Sequence, residues 1–486
     1  MVINEEGRPV GQASQEYSIS HPKTGWAEQD ALEVWQTVKE VIKNAVSASG
    51  VTEVDAISLS VQGDAVVAVD RRLNPLRPFI LGMDYRSKPQ SDRCAEVFGG
   101  ENLFRVTGMP PHPLNSLTKI LWIKEQEPEI YEAAWKFMTY ADYILAKLGA
   151  DPVIDYTMAS RTMAFDLANR SWSDQILGKL DISKDLLSSA VPSGQVVGKL
   201  LDSLRDEFHI ASDVALVTGG HDQTCAALGA GVIGERIGVD STGTAEVLST
   251  AFAEPRLGEE MYRWFYPCYI YVDSDLYFTF ALNHTGGIVL QWYRDEFCEV
   301  EKKRASELNI SAYDLIVSQM PKTPTKLFFF PHLNGTGTPT CDLNARGSVL
   351  GLSLETTKGE LAKAILEGLT FELRLNLDYL SRAKIEIDEI VAVGGGSRSE
   401  EWLKLKANIT GRPIKTLKNK EAACFGAAML AAVGSGYYSE LRQAVSECVQ
   451  YERTHEPTQH VLDMYNEKYS IYRKLYDESR AITAQI

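Results

Sequence analysis

The sequence predicts an α/β protein of two domains, and three observations carry that prediction. The chain has 486 residues, more than one hydrophobic core organises, so two domains are the natural division. Strand-like and helix-like apolar patterns alternate along most of its length. The same local order (strand, small-residue turn, strand, then helices) recurs in each half, with no short-period repeat and no low-complexity segment.

In order, residues 9–19 read as an extended segment after the turn Glu6-Gly7. A helix starts at Asp30, an N-cap with Glu33 three residues on, and its apolar stripe is Trp35, Val38, Ile42 and Val46. Residues 56–61 and 65–70 read as strands, and 114–190 as largely helical, anchored by Leu117, Ile120, Leu121, Tyr143, Leu145 and Leu148. Residues 214–217 form a further strand before a small-residue helix over 224–231.

A second cycle begins near Arg236, where residues 237–240 and 245–250 flank Ser241-Thr242-Gly243-Thr244 and predict a hairpin. Residues 357–382 predict a long helix, with Thr357 and Glu360 as a capping box and Leu361, Ile365, Leu369, Leu373 and Leu377 on one stripe. A short strand over 390–393 runs into Gly394-Gly395-Gly396, another helix begins near Ser399, and a last helix covers 459–482.

Hydrophobic residues make up 44% and charged residues 23%, with a formal net charge of −16. Such an acidic chain repels phosphate at long range, which argues against nucleic-acid partners and anionic membranes. Phosphate must then be held locally, by backbone N–H groups, a metal ion or a few basic side chains. No apolar run approaches the ~18 residues of a membrane-spanning helix. The first residues, Met1-Val2-Ile3-Asn4-Glu5-Glu6, have neither a basic nor an apolar leader region, so a cytoplasmic protein is expected. Cys94, Cys225, Cys268, Cys298, Cys341, Cys424 and Cys448 are scattered without a CxxC pair, which fits reduced thiols and no zinc site.

Three loops stand out. Gly219-Gly220-His221-Asp222 follows a strand and opens a helix. A carboxylate at that point can take the proton of a hydroxyl as it attacks phosphorus, or it can simply cap the helix. Gly243-Thr244 in the hairpin turn offers N–H groups and a hydroxyl to phosphate oxygens, although tight turns use the same residues. Gly394-Gly395-Gly396 lies between strand and helix, where nucleotides meet backbone, and three consecutive glycines cost more chain entropy than a plain connector warrants. Gly229-x-Gly231-x-x-Gly234 follows a helix rather than a strand and is read as a helix end. No GxxxxGK[ST] occurs, so the chain is not a P-loop kinase. Gln62-Gly63-Asp64 and Gly82-Met83-Asp84-Tyr85-Arg86 are polar clusters after apolar strands, suited to sugar hydroxyls.

Taken in chain order, these segments resemble the FGGY family of carbohydrate kinases. The resemblance rests on residues 21–30 (His-Pro-Lys-Thr-Gly-Trp-Ala-Glu-Gln-Asp), Asp84-x-Arg86, Asp142-Tyr143-Ile144-Leu145, Gly219 to Asp222, Gly243-Thr244, Gly286-Gly287 with Gln291 to Asp295, and the triple glycine. Its most specific part is Gly347-x-Val349-x-Gly351-Leu352 followed by Glu360-Leu361 and Ala364-Ile365-Leu366-Glu367. It implies two ribonuclease-H-like, actin-like ATPase domains (1–234, sugar-binding; 235–486, nucleotide-binding) around a central cleft. It implies ATP-dependent phosphorylation of a sugar or polyol, with Asp222 as catalytic base. Gln62, Asp64, Asp84, Arg86 and His221 would hold substrate. Gly243, Thr244, Gly287, Gln291, Gly395, Gly396 and Ser399 would hold nucleotide. Mg²⁺ would arrive with ATP and meet Asp222 only indirectly. A homodimer through the C-terminal domain is implied as well. Gln62-Gly63 leans toward the xylulokinase branch, whose pattern is Gln-Met-His-Gly, while Gly-Gly-His-Asp is nearer fuculokinase-like members, so a ketopentose or similar small carbohydrate is expected.

One departure stands against this. The family begins with a strand carrying Asp-x-Gly-Thr, and here Val2-Ile3 aligns with the second strand and Glu6 to Pro9 with the turn after it. The expectation is an N-terminal domain lacking its first strand, on the order of 10–20 residues. A chain in that state should be a poor kinase. Two other classes follow as alternatives: a sugar-binding pseudokinase, and an actin- or Hsp70-like ATPase.

Overall fold

In the computed structural model, which describes residues 1–485, two short antiparallel strands open the chain, β1 (Val2–Ile3) and β2 (Pro9–Gly11). Helix α1 (Ala31–Ser49) starts where the Asp30 carboxylate accepts from the N–H groups of Leu32 and Glu33. Val34 and Val46 are buried, while Trp35, Val38 and Ile42 are half-buried against the same core. The strand expected over 56–61 is broken into β3 (Ala56–Ile57) and β4 (Ser60–Val61).

Residues 114–190 are less helical than their apolar anchors suggest. Helices α2 (Ser116–Gln126), α3 (Tyr140–Leu148) and α4 (Tyr156–Arg161) form, with shorter ones at Pro128–Ala133 and Asp174–Lys179, but strands of two or three residues lie between and after them, at Lys136–Met138, Val153–Asp155, Phe165–Asp166, Ser171–Trp172 and Ser189–Val191. Elements that short cannot display an alternating pattern. Strands β5 (Val196–Lys199), β6 (Ala215–Val217) and β7 (Gly220–His221) then lead into helix α5 (Asp222–Gly229).

Pairing fixes which loops meet. β3 is parallel to β6, and β4 is parallel to β7 with Ser60 opposite Gly220 and Val61 opposite His221. The chain therefore leaves β4 and β7 side by side, which sets Gln62-Gly63-Asp64 next to Asp222.

The second half is built on one seven-stranded sheet. Its elements are β8 (Arg236–Thr242), β9 (Glu246–Phe252), β10 (Tyr269–Ile270), β11 (Tyr277–Asn283), α6 (Gly287–Phe297), α7 (Lys358–Arg382), β12 (Ile387–Gly394), α8 (Glu400–Thr410), β13 (Ile414–Leu417), α9 (Ala422–Gly434), β14 (Tyr451–His455) and α10 (Gln459–Thr483). The strand order is β10-β11-β9-β8-β12-β13-β14. β8 and β9 form the expected hairpin with Thr242 opposite Glu246, and β8, β12 and β13 run parallel. The hairpin turn and the triple-glycine loop thus emerge at the same sheet edge. The capping box of Thr357 and Glu360 forms at the start of α7, and Tyr465, Tyr469, Tyr472 and Tyr476 of α10 are buried.

In this sheet β8 joins an antiparallel partner, β9, to a parallel one, β12. The first half has the same two kinds of pair, β1 with β2 and β3–β4 with β6–β7. Among the described residues no strand links them. Helices α5 and α9 cross in near backbone contact, and Cys225 and Leu228 of α5 share a core with Val239, Val391 and Phe425. All seven cysteines are free. Among the described residues no helix is long and apolar enough to cross a membrane.

Candidate active site

Asp222 is the first residue of α5, not its cap: His221 takes the cap position, and no side chain caps the helix. The plain capping reading of Asp222 therefore does not describe the structure, and the carboxylate is left 43% exposed. Its titration is raised by burial of its surroundings, opposed by Arg161 and reinforced by Asp64. His221 lies beside it, with Nε2 3.1 Å from Asp222 Oδ1 and Nδ1 3.2 Å from the hydroxyl of Tyr269. Burial and then Arg161 push the imidazole well below its usual range, so it is neutral and carries one N–H. With that proton on Nε2 it donates to Asp222 while Nδ1 accepts from Tyr269, a residue of the second half.

Asp64 follows β4 with a left-handed backbone (φ 71°) and is buried. Its Oδ2 pairs with Nη2 of Arg161, at the end of α4. A Cβ on Gly63 would lie 2.6 Å from Arg161 Nε and 3.0 Å from His221 Cδ2, so only glycine lets both side chains in. Asp64 Oδ1 and Arg161 Nε and Nη1 are buried without hydrogen-bond partners among the described residues. The guanidinium also stacks on two aromatic rings of the second half, 5.3 Å from the Tyr269 centroid and 5.4 Å from that of Phe280. Arg161 and Tyr269 give no signal in the sequence: an arginine ending a helix reads as a surface residue until its buried partners are known.

Asp84 and Arg86 sit close behind this group but are occupied with each other. Asp84 Oδ1 accepts from Arg86 N and Nε, both at 2.9 Å, and Oδ2 accepts from Arg86 Nη2 at 2.8 Å and Ala27 N at 2.6 Å. Arg86 stacks 3.6 Å from the Trp26 ring and lies 2.7 Å from Glu28. Lys119 of α2, another residue missed in the sequence, is buried with its ammonium on the carbonyl of Pro113 at 3.0 Å. Burial lowers it to about 8, with Asp64 and Asp84 opposing. Gln62 is exposed, 3.4 Å from Gln29.

In the second half three loops touch one another. Gly243 and Thr244 are exposed at the hairpin tip. Gly287 N donates to Gly243 O and Gly286 N to Thr244 O, both at 2.8 Å, so the start of α6 is fastened to the hairpin. The triple-glycine loop packs on its stem so closely that a Cβ on Gly396 would lie 2.6 Å from Thr242 Cβ. Gln291 is exposed on α6, and Ser399 spends its hydroxyl capping α8, accepting from Trp402 N at 3.4 Å. The structure thus brings Gly243, Thr244, Gly287, Gly395 and Gly396 together as one backbone-rich surface. Asp64, His221 and Asp222 form a second, polar group in the other half.

Comparison with known proteins agrees with this division. The model of the FGGY family of carbohydrate kinases, N-terminal domain, matches residues 1–229, and that of its C-terminal domain matches residues 241–435. A xylulose kinase of Staphylococcus epidermidis is 30% identical over 489 residues, spanning 100% of this chain and 95% of that protein. A gluconokinase of Bacillus subtilis is 29% identical over 461 residues, spanning 94% of this chain and 89% of its own length. Among solved structures, the ligand-bound xylulose kinase of Lactobacillus acidophilus superposes with a TM-score of 0.89 at 25% identity, covering 98% of this chain and 94% of that one. The shared fold is two α/β domains of the ribonuclease-H-like, actin-like ATPase kind.

Proposed function

The chain belongs to the FGGY family of carbohydrate kinases, and on that footing we propose that it phosphorylates a neutral ketopentose, such as xylulose, or a similar small polyol, with Asp222 as general base. The observation that carries this reading is the uncapped Asp222 carboxylate, left 43% exposed beside neutral His221. Asp222 takes the proton of the sugar hydroxyl as that oxygen bonds to the γ-phosphorus, and the bond from phosphorus to the bridging oxygen of ADP breaks. Gly243, Thr244, Gly287, Gly395 and Gly396 line the nucleotide's place; Gly243 N donates to Ala245 O at 2.9 Å and Gly287 N to Gly243 O at 2.8 Å, so phosphate is met by Thr244, Gly395 and Gly396.

Among the described residues no cluster of three His, Cys, Asp or Glu side chains can hold a metal. Mg²⁺ would arrive on the nucleotide, meet Asp222 only indirectly and neutralise phosphate charge.

A neutral substrate is favoured by Asp64. Its buried Oδ1 has no donor, a sugar hydroxyl supplies one, and the carboxylate of an aldonate such as gluconate would face it with like charge. Asp84 and Arg86 hold the wall behind Asp64 in this scheme. A homodimer through the C-terminal domain belongs to the same proposal, with Leu352 and Leu354 among its exposed apolar residues; light scattering after gel filtration tests it.

Sugar binding without turnover is the second reading. ADP release with MgATP over a panel of ketoses, aldoses, polyols and gluconate separates the readings. Sugar-dependent release lost in Asp222→Asn supports the kinase. Sugar binding with no release supports the sensor, and release independent of sugar refutes both.

A further inference from the structure

Beneath the hairpin that carries Gly243 and Thr244 lies a charged cluster that the mechanism above does not use. Lys406, on the second turn of α8, is buried with its side chain 1% exposed. Its ammonium donates to three acceptors: Asp240 Oδ2, Thr242 Oγ1 at 2.7 Å and Glu246 Oε1 at 2.8 Å. Asp240 and Thr242 are two residues apart on β8 and share a face, and Glu246 opens β9, so the three acceptors straddle the hairpin turn. All three ammonium protons are used, and both carboxylates are as buried as the lysine.

The cluster reaches the other two nucleotide loops. Asn283, three residues before Gly286, donates from Nδ2 to Glu246 Oε2 at 3.1 Å. Asn376 of α7 donates to Asn283 Oδ1 at 3.2 Å and accepts at Oδ1 from the hydroxyls of Tyr266 at 2.7 Å and Thr338 at 2.8 Å. α8 itself begins where the triple-glycine loop ends, at Ser399. The stems of all three loops are therefore held in one buried hydrogen-bond network.

We propose that Lys406 is a positioning residue for nucleotide binding, holding the two stems of the phosphate hairpin together and fastening them to the helix that follows the triple glycine. The inference rests on the reading of Thr244 as a phosphate contact. A lysine suits the place because an ammonium distributes three donors around one point, whereas the planar fork of arginine cannot. Its charge is needed as well. Without it, Asp240 and Glu246 would set two buried carboxylates directly under the phosphates. Burial already raises the Glu246 carboxyl, with Lys406 opposing and Asp240 adding, so the cluster has no charge to spare.

The test is equilibrium binding of MgADP and of sugar, measured by calorimetry on the full chain carrying Lys406→Met, Thr242→Val or Thr244→Val. Lys406→Met is expected to weaken MgADP about tenfold or more while sugar affinity stays within about twofold of the parent. Where turnover is measurable, the KM for ATP rises and kcat does not fall with it, a split that a general loss of stability would not produce. Should Lys406→Met fail to fold, Thr242→Val carries the test: it keeps every charge and removes one acceptor, and about threefold weaker MgADP is expected. Unchanged MgADP affinity in the folded variant, with Thr244→Val weakened, overturns the inference and leaves the nucleotide reading intact. Unchanged affinity in Thr244→Val as well means that the hairpin does not hold phosphate, and the inference falls with that reading.

Discussion

Arg161 sets a full positive charge beside two carboxylates, Asp64 and Asp222, and against two aromatic rings of the other domain. Breaking a buried ion pair from one side leaves an uncompensated charge, so Arg161→Gln should lower the unfolding free energy by about 3–5 kcal/mol, read from urea denaturation. Sugar affinity should fall with it, because Asp64 loses the partner that holds its left-handed turn. Two other buried carboxyls give a pH signature. Asp142 and Asp155 are each pushed up to about 6 by burial, against the hydrogen bonds of Ser188 and Thr139 on the first and Thr157 and Met158 on the second. Below the ordinary value of 3.8 both folded and unfolded forms keep these protons, and between there and about 6 only the folded form does. Their contribution to stability is therefore full in acid and is lost as the pH rises through 6. In Asp142→Asn, denaturation at pH 4, 5, 6 and 7 should show the variant gaining on the parent with each step. Asp222 and the glycine loops drew notice in the sequence because their residues lie in short runs. Arg161, Lys119 and Tyr269 did not, because the groups they meet (Asp64 for Arg161, the Pro113 carbonyl for Lys119, His221 for Tyr269) are set by the fold and not by a pattern.

The elements that read well are those whose ends carry their own chemistry. Asp30 and the pair Thr357–Glu360 fix helix starts by local hydrogen bonds, and both helices begin where those residues say. The β8–β9 hairpin follows from two apolar runs around a small-residue turn. The region after α4 reads badly because its strands are two or three residues long and owe their existence to neighbours rather than to pattern. Composition did mark the crossing of α5 and α9, as a small-residue helix, without saying what approaches it. A Cβ on Gly426 would lie 1.9 Å from Cys225 O, so the helices touch through backbone. Gly426→Ala should force them apart and lower stability by about 1–3 kcal/mol, seen as a lower Tm with the family of secondary-structure signals unchanged. Because α5 begins with Asp222, the same variant should lose kcat even at temperatures where it remains folded.

At the scale of the whole molecule, the order of segments along the chain points to two α/β domains, with the substrate group proposed for the first and the nucleotide loops for the second. With a net charge of −16, the proposed phosphate binding would rest on backbone N–H groups and on Mg²⁺ rather than on a basic surface. What sequence could not convey is how the halves meet: Arg161 on Tyr269 and Phe280, and His221 on Tyr269, are contacts between domains. The most direct test of a sugar kinase with Asp222 as base is ADP release with MgATP across the sugar panel. It should be run on this chain with and without Asp222→Asn. The account predicts release that depends on one neutral ketose or polyol and is lowered about 10²–10⁴-fold by Asp222→Asn with sugar and MgADP still bound. Release that ignores the sugar, or that survives Asp222→Asn at the parent rate, would contradict it.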